Sequence, residues 1–332
     1  MNKIDLEILK LLHKNKNSYL SGQKISDKLN VSRTTIWKHI KDLRNKGYQI
    51  ESITNKGYSL VDIPDKITAE EIKLGLKTDI IAQEIYVFDS LSSTNEKAKQ
   101  LAGEGKSGGT VIMAEEQTAG RGRLGRKWYS PPGSGLWCSL LVRPDINPTR
   151  APFLTIVAAL ALEDALYKID EEFTIFKDKN DLMIKWPNDI LWNDKKICGI
   201  LSELNADIDK IKYAVIGIGV NVNQDSFPDE LEDKAVSLKE ISGKKISRNK
   251  VAQTLLTVFE KYYKKLLDKD YNQLLLKWKD KLNIIKKNID VYADDKVYSG
   301  EVVDISDKGE LVIKDNIGNI HRFWAGDVSL RQ

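Results

Sequence analysis

The stretch Gly120-Arg121-Gly122-Arg123-Leu124-Gly125-Arg126-Lys127-Trp128 sets three glycines among four cations. Glycine lets backbone N–H groups come close to an anion, and guanidinium forks grip carboxylate or phosphate oxygens through paired hydrogen bonds. The segment also spells G-x-G-x-x-G, but a dinucleotide-binding turn of that spelling follows a strand and opens a helix. Here Trp128-Tyr129-Ser130-Pro131-Pro132-Gly133 comes next, and two prolines with a glycine cannot continue as a helix. The segment therefore reads as an anion-binding loop. Four like charges in seven residues repel one another until a polyanion joins them, so the loop is expected to be mobile when empty and ordered by its ligand.

A second concentration of positive charge opens the chain. The whole sequence holds 52 Lys and Arg against 48 Asp and Glu, a formal net of +4. Residues 1–62 carry 12 cations and 6 anions, or +6, and the remaining 270 carry −2. That asymmetry points to a nucleic-acid or other polyanion contact. Ile4, Ile8, Leu11 and Leu12 recur at helical spacing. A second helix fits 22–29, with Ile25 and Leu29 inward. Asn30-Val31-Ser32 makes a turn, and a third helix over about 33–46 buries Ile36, Ile40 and Leu43. Its outer face presents Arg33, Thr34, Thr35, Lys38 and Lys41. Two short helices joined by a tight turn, the second led by hydroxyl and basic residues, match a helix-turn-helix with its recognition helix. Tyr48–Ile53, the turn Thr54-Asn55-Lys56-Gly57 and Tyr58–Val61 then form a hairpin wing, with Lys56 at its tip over a phosphate. A three-helix protein-interaction module is the alternative. One such module touches few base pairs, so DNA specificity calls for a dimer.

The elements that hold the central loop come from the middle of the chain. Asp62-Ile63-Pro64-Asp65 marks a boundary. Beyond it Glu84–Phe88, Thr110–Ala114, Leu182–Lys185, Ile190–Trp192, Ile197–Leu204 and Tyr213–Val222 read as strands. Ser93–Ala102, Ala151–Lys168, Lys250–Asp268 and Tyr271–Leu282 read as helices. Strands outnumber helices and do not alternate strictly with them, which gives an α+β class: a mixed sheet with helices on one face. From about 286, short strands with turns at Asp294-Asp295, Asp307-Lys308-Gly309 and Asn316–Gly318 suggest a small SH3-like barrel. The expected domains are 1–63, 64–285 and 286–332. A hydrophobic content of 41% supports sizeable cores and excludes a disordered chain. The most apolar run, Phe153–Leu162, is too short to span a bilayer, and MNKIDLEILK lacks the apolar core of a signal peptide. Cys138, Cys198, His13, His39 and His321 lie too far apart for a disulfide framework or a zinc-ligand pattern. A soluble, cytoplasmic protein without a fixed metal site or membrane partner is expected.

The glycine-arginine loop, Ser93-Thr94-Asn95 upstream and Lys185-Trp186-Pro187-Asn188-Asp189 downstream together resemble biotin–protein ligase. The basic winged helix makes the chain similar to the bifunctional form that also represses biotin genes, and the resemblance covers essentially the whole sequence. It implies that biotin and ATP, with Mg²⁺, give biotinyl-5′-adenylate and pyrophosphate, and that the biotinyl group passes to one lysine of a biotin carboxyl carrier protein. Both reactants of the first step are anions, so neutralising cations are the main available help. The resemblance assigns the carboxylate and phosphate to the backbone of Gly120 and Arg121 and to Arg123, and it lets Trp128 close over the adenylate. Lys196 aligns with the family's lysine at the reacting groups, with Lys195 as a register competitor. Ser93, Thr94 and Gln117 would meet the ureido ring of biotin; Ser93 could equally cap its helix, since Glu96 completes a capping box. Lys185 would counter phosphate charge. Asp189 would orient or deprotonate the incoming lysine, or simply cap a turn. Gly199 and Gly219 would leave room for the ligand ring, with Gly217 a strand bulge on the plainer reading. Arg126, Asn188 and Asn221 complete the ATP and adenylate contacts. Operator DNA and a ligand-promoted homodimer are the implied partners. Two alternatives stay open: a lipoate or octanoate ligase on the same fold, and an inactive ligand-sensing repressor.

Overall fold

Two serines start the recognition module. In the computed structural model α1 (Lys3–Lys14), α2 (Gly22–Leu29) and α3 (Arg33–Asn45) are followed by β1 (Gln49–Ile53), β2 (Gly57–Asp62) and α4 (Ala69–Gly75). The structure describes residues 3–15, 18–176, 178, 182–282, 284–293, 296–324 and 326–330, in two compact units, 1–74 and 75–332. Ser21 Oγ accepts the Lys24 N–H at 3.2 Å and Ser32 Oγ accepts the Thr35 N–H at 3.1 Å. Each satisfies a donor that has no partner inside its helix. Asn30 takes the left-handed conformation between the helices. Ile8, Leu12, Ile25, Ile36, Ile40 and Leu43 close one core with Ile50 and Leu60 of the wing, each stabilising by about 1.5–3 kcal/mol. At the wing turn Gly57 has φ +112°, and a Cβ there would lie 2.2 Å from the Leu20 carbonyl oxygen. Beneath the core, buried Asp5 accepts from Lys46 Nζ at 2.6 Å and pairs with His39 Nδ1 at 2.8 Å. Burial alone would raise its carboxyl, but these two partners hold it below the ordinary value.

The second unit is built on a seven-stranded sheet. In chain order come β3 (Ile85–Leu91), α5 (Thr94–Gly103), β4 (Thr110–Gln117), β5 (Gly135–Val142) and α6 (Pro152–Phe173). Then follow β6 (Leu182–Lys185), β7 (Asp189–Trp192), β8 (Lys195–Ala206), β9 (Ile211–Asn221), α7 (Asp229–Glu232), α8 (Leu238–Ser242), α9 (Arg248–Leu267) and α10 (Tyr271–Leu282). The strand order is β3-β4-β5-β9-β8-β7-β6. Only β3 and β4 pair in parallel, across the α5 crossover, so the sheet is mixed. All eight residues of β5 are buried, which requires cover on both faces. The long helices cover one face: Thr155 of α6 bonds Ser202 of β8 at 2.9 Å, and Arg248 of α9 bonds Glu115 of β4 at 2.8 Å. The opposite side chains, Ile112, Leu141 and Val215, pack on Ala98, Leu101 and Ala102 of α5. The long helices thus share one face as expected, while the short α5 lies on the other. A helix only ten residues long leaves the rest of that face open, and the cavity described below occupies it.

The chain ends in β10 (Asn288–Ala293), β11 (Lys296–Ile305), β12 (Leu311–Lys314), β13 (Ile320–Phe323) and β14 (Asp327–Leu330). These form the antiparallel five-stranded sheet of an SH3-like barrel, ordered β13-β12-β11-β10-β14. Gly309 and Gly318 turn it at φ +92° and +94°; the turn expected at Asp294-Asp295 lies outside the described residues. Arg150 donates to the Asp307 carbonyl at 2.9 Å and Lys279 pairs with Asp304 at 2.7 Å, tying this sheet to the helices of the second unit. Among the described residues no helix is long and apolar enough to cross a membrane.

Candidate functional site

The cation loop folds back on itself. Trp128 N–H donates to the Gly120 carbonyl at 2.9 Å and Gly122 N–H to the Arg126 carbonyl at 2.7 Å, with Arg121 bridged to Lys127 between them. Arg123–Gly125 forms the tip, where Leu124 takes φ +54° and is exposed. The loop is therefore a narrow hairpin whose arginines are held apart by separate partners. Arg121 reaches Glu96 at 3.3 Å, and Arg123 donates to Asn188 Oδ1 at 2.9 Å. A Cβ on Gly120 would lie 2.6 Å from the Trp128 carbonyl oxygen and 2.8 Å from Ser130 Oγ. Glycine is needed there for close packing.

The loop roofs a cavity of about 740 Å³ over β5, β9 and β8. Arg121, Arg123, Arg126, Trp128, Lys185 and Lys196 line it, as do Ser93, Thr94 and Gln117 at one end. Asn188, Asp189, Gly199, Gly219 and Asn221 line it too, so residues from four separate stretches of sequence converge. Gly120 lies just outside that lining. Lys196 Nζ is 2.5 Å from Asp189 Oδ2, whereas Lys195 Nζ turns to the Glu232 carbonyl at 3.1 Å. Lys196 is thus the member of the pair that faces the cavity. Lys185 sits opposite Asp189 across the β6–β7 hairpin, and Asn188 is fixed by donating to the Ile200 carbonyl at 2.7 Å. Asn221 donates to the Lys196 carbonyl at 3.2 Å and accepts from Gln224 at 3.0 Å.

Two expectations change. Ser93 stands at the N-cap position of α5, but its side chain makes no capping bond. There is thus no capping box and the Ser93 hydroxyl is not spent on the helix end; the first helical N–H, that of Thr94, goes to Gln117 Oε1 at 2.9 Å. The glycines do clear space, but here Trp128 fills it. A Cβ on Gly199 or Gly219 would meet the Trp128 indole at 2.8 or 2.3 Å, and one on Gly217 would meet Asn95 at 2.2 Å. Gly217 therefore accommodates a neighbouring side chain and is no bulge, since the β8–β9 register runs regularly through it. Sequence reasoning gave Glu96 only a capping-box role and assigned none to Asn95, Ser139 or Glu203, which tie this end of the cavity together. Their signal was faint: Asn95 follows the Ser-Thr pair, and Ser139 interrupts an otherwise apolar strand. Cys138 and Cys198 are free and buried. Burial raises both thiols, Cys138 to about 12, so neither is a nucleophile at neutral pH.

In the first unit Arg33, Thr34, Lys38 and Lys41 stand exposed on α3, and Lys56 is exposed on the wing. Thr35 is half-buried, with its hydroxyl 2.8 Å from Ser32 Oγ, and so belongs to the cap. Trp37, unremarked in the sequence, is 56% exposed, with Lys41 Nζ 5.6 Å from its ring centroid. An aromatic side chain left in water among cations suits a sugar or base edge.

A glycine-floored, cation-roofed cavity on a mixed sheet, with a winged helix before it and an SH3-like sheet after it, defines a class that known proteins share. The model of the biotin/lipoate A/B protein ligase family matches residues 87–221, that of an HTH domain residues 5–59, and that of the biotin protein ligase C-terminal domain residues 287–331; the chain belongs to the biotin protein ligase family. Among its relatives, the bifunctional ligase/repressor BirA of Bacillus subtilis is 41% identical over 326 residues, 98% of each chain. The BirA of Escherichia coli is 29% identical over 99% of this chain and 98% of its own length. Among solved structures, the biotin protein ligase from Aquifex aeolicus in complex with biotin and ATP is 32% identical, with a TM-score of 0.62 over 75% of this chain and 99% of its own.

Proposed function

We infer that this chain is an ATP-dependent ligase that makes biotinyl-5′-AMP, transfers biotin to a lysine of a carboxylase carrier domain, and represses biotin genes when loaded with the adenylate. One observation carries the ligase reading: Thr94 and Gln117, bonded to each other, line the same cavity as Arg123, Lys185 and Lys196. A neutral polar ring and a pair of anions find complementary walls there, whereas a lipoyl or octanoyl chain would leave the polar end without partners.

In the first step a carboxylate oxygen of biotin bonds the α-phosphorus of ATP, and the bond to pyrophosphate breaks. ATP arrives as its magnesium complex, the ion neutralising phosphate charge. Arg121 and Arg123 with Lys196 offset the repulsion between the reacting anions, and Arg126, Trp128, Asn188 and Asn221 hold the nucleotide. Lys185 counters phosphate charge. Asp189 aims Lys196; once Lys196 turns to the ligand, the freed carboxylate can accept a proton from the incoming lysine. In the second step that amine bonds the acyl carbon, AMP leaves, and the amine gives up a proton. Mixing the protein with biotin, MgATP and a carrier fragment should add one biotinyl mass to the carrier and release pyrophosphate. Absence of both would refute the ligase reading.

For repression, Arg33, Thr34, Lys38 and Lys41 meet the DNA, with Lys56 on an adjacent phosphate. Thr35 serves through the helix cap. The adenylate, bound beneath the folded 120–128 loop, favours a homodimer that spans two half-sites. Sedimentation with and without adenylate tests this, and an identical association constant would overturn it. Use of ATP, carrier and operator places the protein in the cytoplasm.

A further inference from the structure

The polar end of the cavity is a chain of short contacts with too few protons. Ser139 Oγ lies 2.6 Å from Asn95 Oδ1 and 2.7 Å from Thr94 Oγ1. Thr94 Oγ1 in turn lies 3.1 Å from Gln117 Oε1. Three contacts thus share two hydroxyl protons. Which contact goes without is decided outside the cavity. Asn95 Nδ2 is committed to Glu203 Oε2 at 2.7 Å and to the Leu201 carbonyl at 3.3 Å, and both of these only accept. Glu203 is held by Lys99 Nζ at 2.9 Å. The Asn95 amide is therefore fixed with its oxygen toward Ser139, and that oxygen must accept. The Ser139 proton goes to Asn95, because two bare acceptors 2.6 Å apart would repel strongly. Ser139 then accepts the Thr94 proton. The longest contact, Thr94 to Gln117, is the one left without a proton, and the Gln117 oxygen already takes the Thr94 N–H at 2.9 Å.

We infer that Glu203, through Asn95 and Ser139, sets Thr94 Oγ1 as a hydrogen-bond acceptor facing the cavity, so that the site selects ligands presenting an N–H there. The inference rests on the biotin reading and deepens it: the ureido N–H is the group selected, and Glu203 and Asn95 are positioning residues that do not touch the ligand. Glu203→Gln removes the fixed acceptor. The new amide can offer a donor to Asn95, the Asn95 amide can reverse, and the proton order along the chain then reverses with it.

The test is a double-mutant cycle with Thr94→Val, measuring KM for biotin and for ATP together with thermal melting. Glu203→Gln should raise KM for biotin about tenfold, the scale of one mismatched buried hydrogen bond, and leave KM for ATP within about twofold. In the Thr94→Val background the same substitution should add nothing. Additive losses in the cycle, or equal losses for both substrates, would overturn the relay. Failure of the unaltered protein to bind biotin would instead overturn the biotin reading, a result separable from every outcome of the cycle.

Discussion

The cation loop at 120–128 and the basic face of α3 both gather arginine and lysine, yet only the loop sets one of its cations, Arg123, half-buried over a cavity. Arg121 is held by Glu96 and Arg123 by Asn188, and the loop sits over a floor of glycines. On α3, Arg33, Lys38 and Lys41 project into water, with the Trp37 ring as Lys41's neighbour. Preorganised charge in an enclosed site acts on a reaction, because little reorganisation remains when charge develops. Exposed charge acts on encounter and affinity, and salt screens it. The same residue types therefore do different work according to what surrounds them.

The sharpest way to separate the two is to remove one arginine from each. Arg123→Ala should slow adenylate formation about 100-fold, measured by pyrophosphate release, while calorimetry still detects biotin binding. An unchanged rate and unchanged adenylate retention would place Arg123 outside the chemistry. Next in size, Gly219→Ala puts a methyl where the Trp128 indole lies. Crowding of this kind costs about 1–3 kcal/mol, so kcat/KM should fall about tenfold; a silent substitution would mean that Trp128 leaves the floor freely.

On the other side of the comparison, Arg33→Ala should weaken operator binding about tenfold. If Arg33 meets a phosphate, it should also lower the salt slope by about one. Ligation should be unaffected, and a loss of ligase activity in that variant would break the division of labour. The smallest effect concerns pH. Since Asp5 is held below its ordinary value of 3.8 by Lys46 and His39, its contribution is present above that value and is lost as the pH falls through the lower folded value. Melting of the first unit should drop in that acid range by about 4–8 °C per kcal/mol lost. Asp5→Asn should flatten the drop, and equal slopes in the two proteins would contradict the linkage.

Much of this was legible from residue patterns. Ile36, Ile40 and Leu43 on one side and Arg33, Lys38 and Lys41 on the other define α3 by period alone, and Asn55-Lys56-Gly57 defines the wing turn. The cation loop was legible because its composition is extreme. What escaped was what depends on neighbours distant in sequence. Ser93 looked like a cap because Glu96 follows at the right interval, but its side chain makes no capping bond, and Gln117, at the end of β4, takes the first N–H of the helix. Gly199 and Gly219 looked like room for a ligand, and nothing nearby in the sequence says that Trp128 rests there. Glu203 lies 108 residues from Asn95 along the chain, and no local pattern links a strand carboxylate to a helix amide.

The sheet order has a consequence for how the protein is made. Because β9 lies between β5 and β8, the cavity has no floor until residues 211–221 are available. Ser93 therefore waits for 128 more residues to be synthesised before Asn221 appears. At about 5–20 residues per second that is roughly 6–26 s on the ribosome. From its own completion at Val142 until then, β5 carries eight buried-type residues, GLWCSLLV, with no partner on one edge. A nascent chain arrested short of β9 should fail to retain biotin and should bind chaperones through that strand, whereas one arrested well beyond it should not.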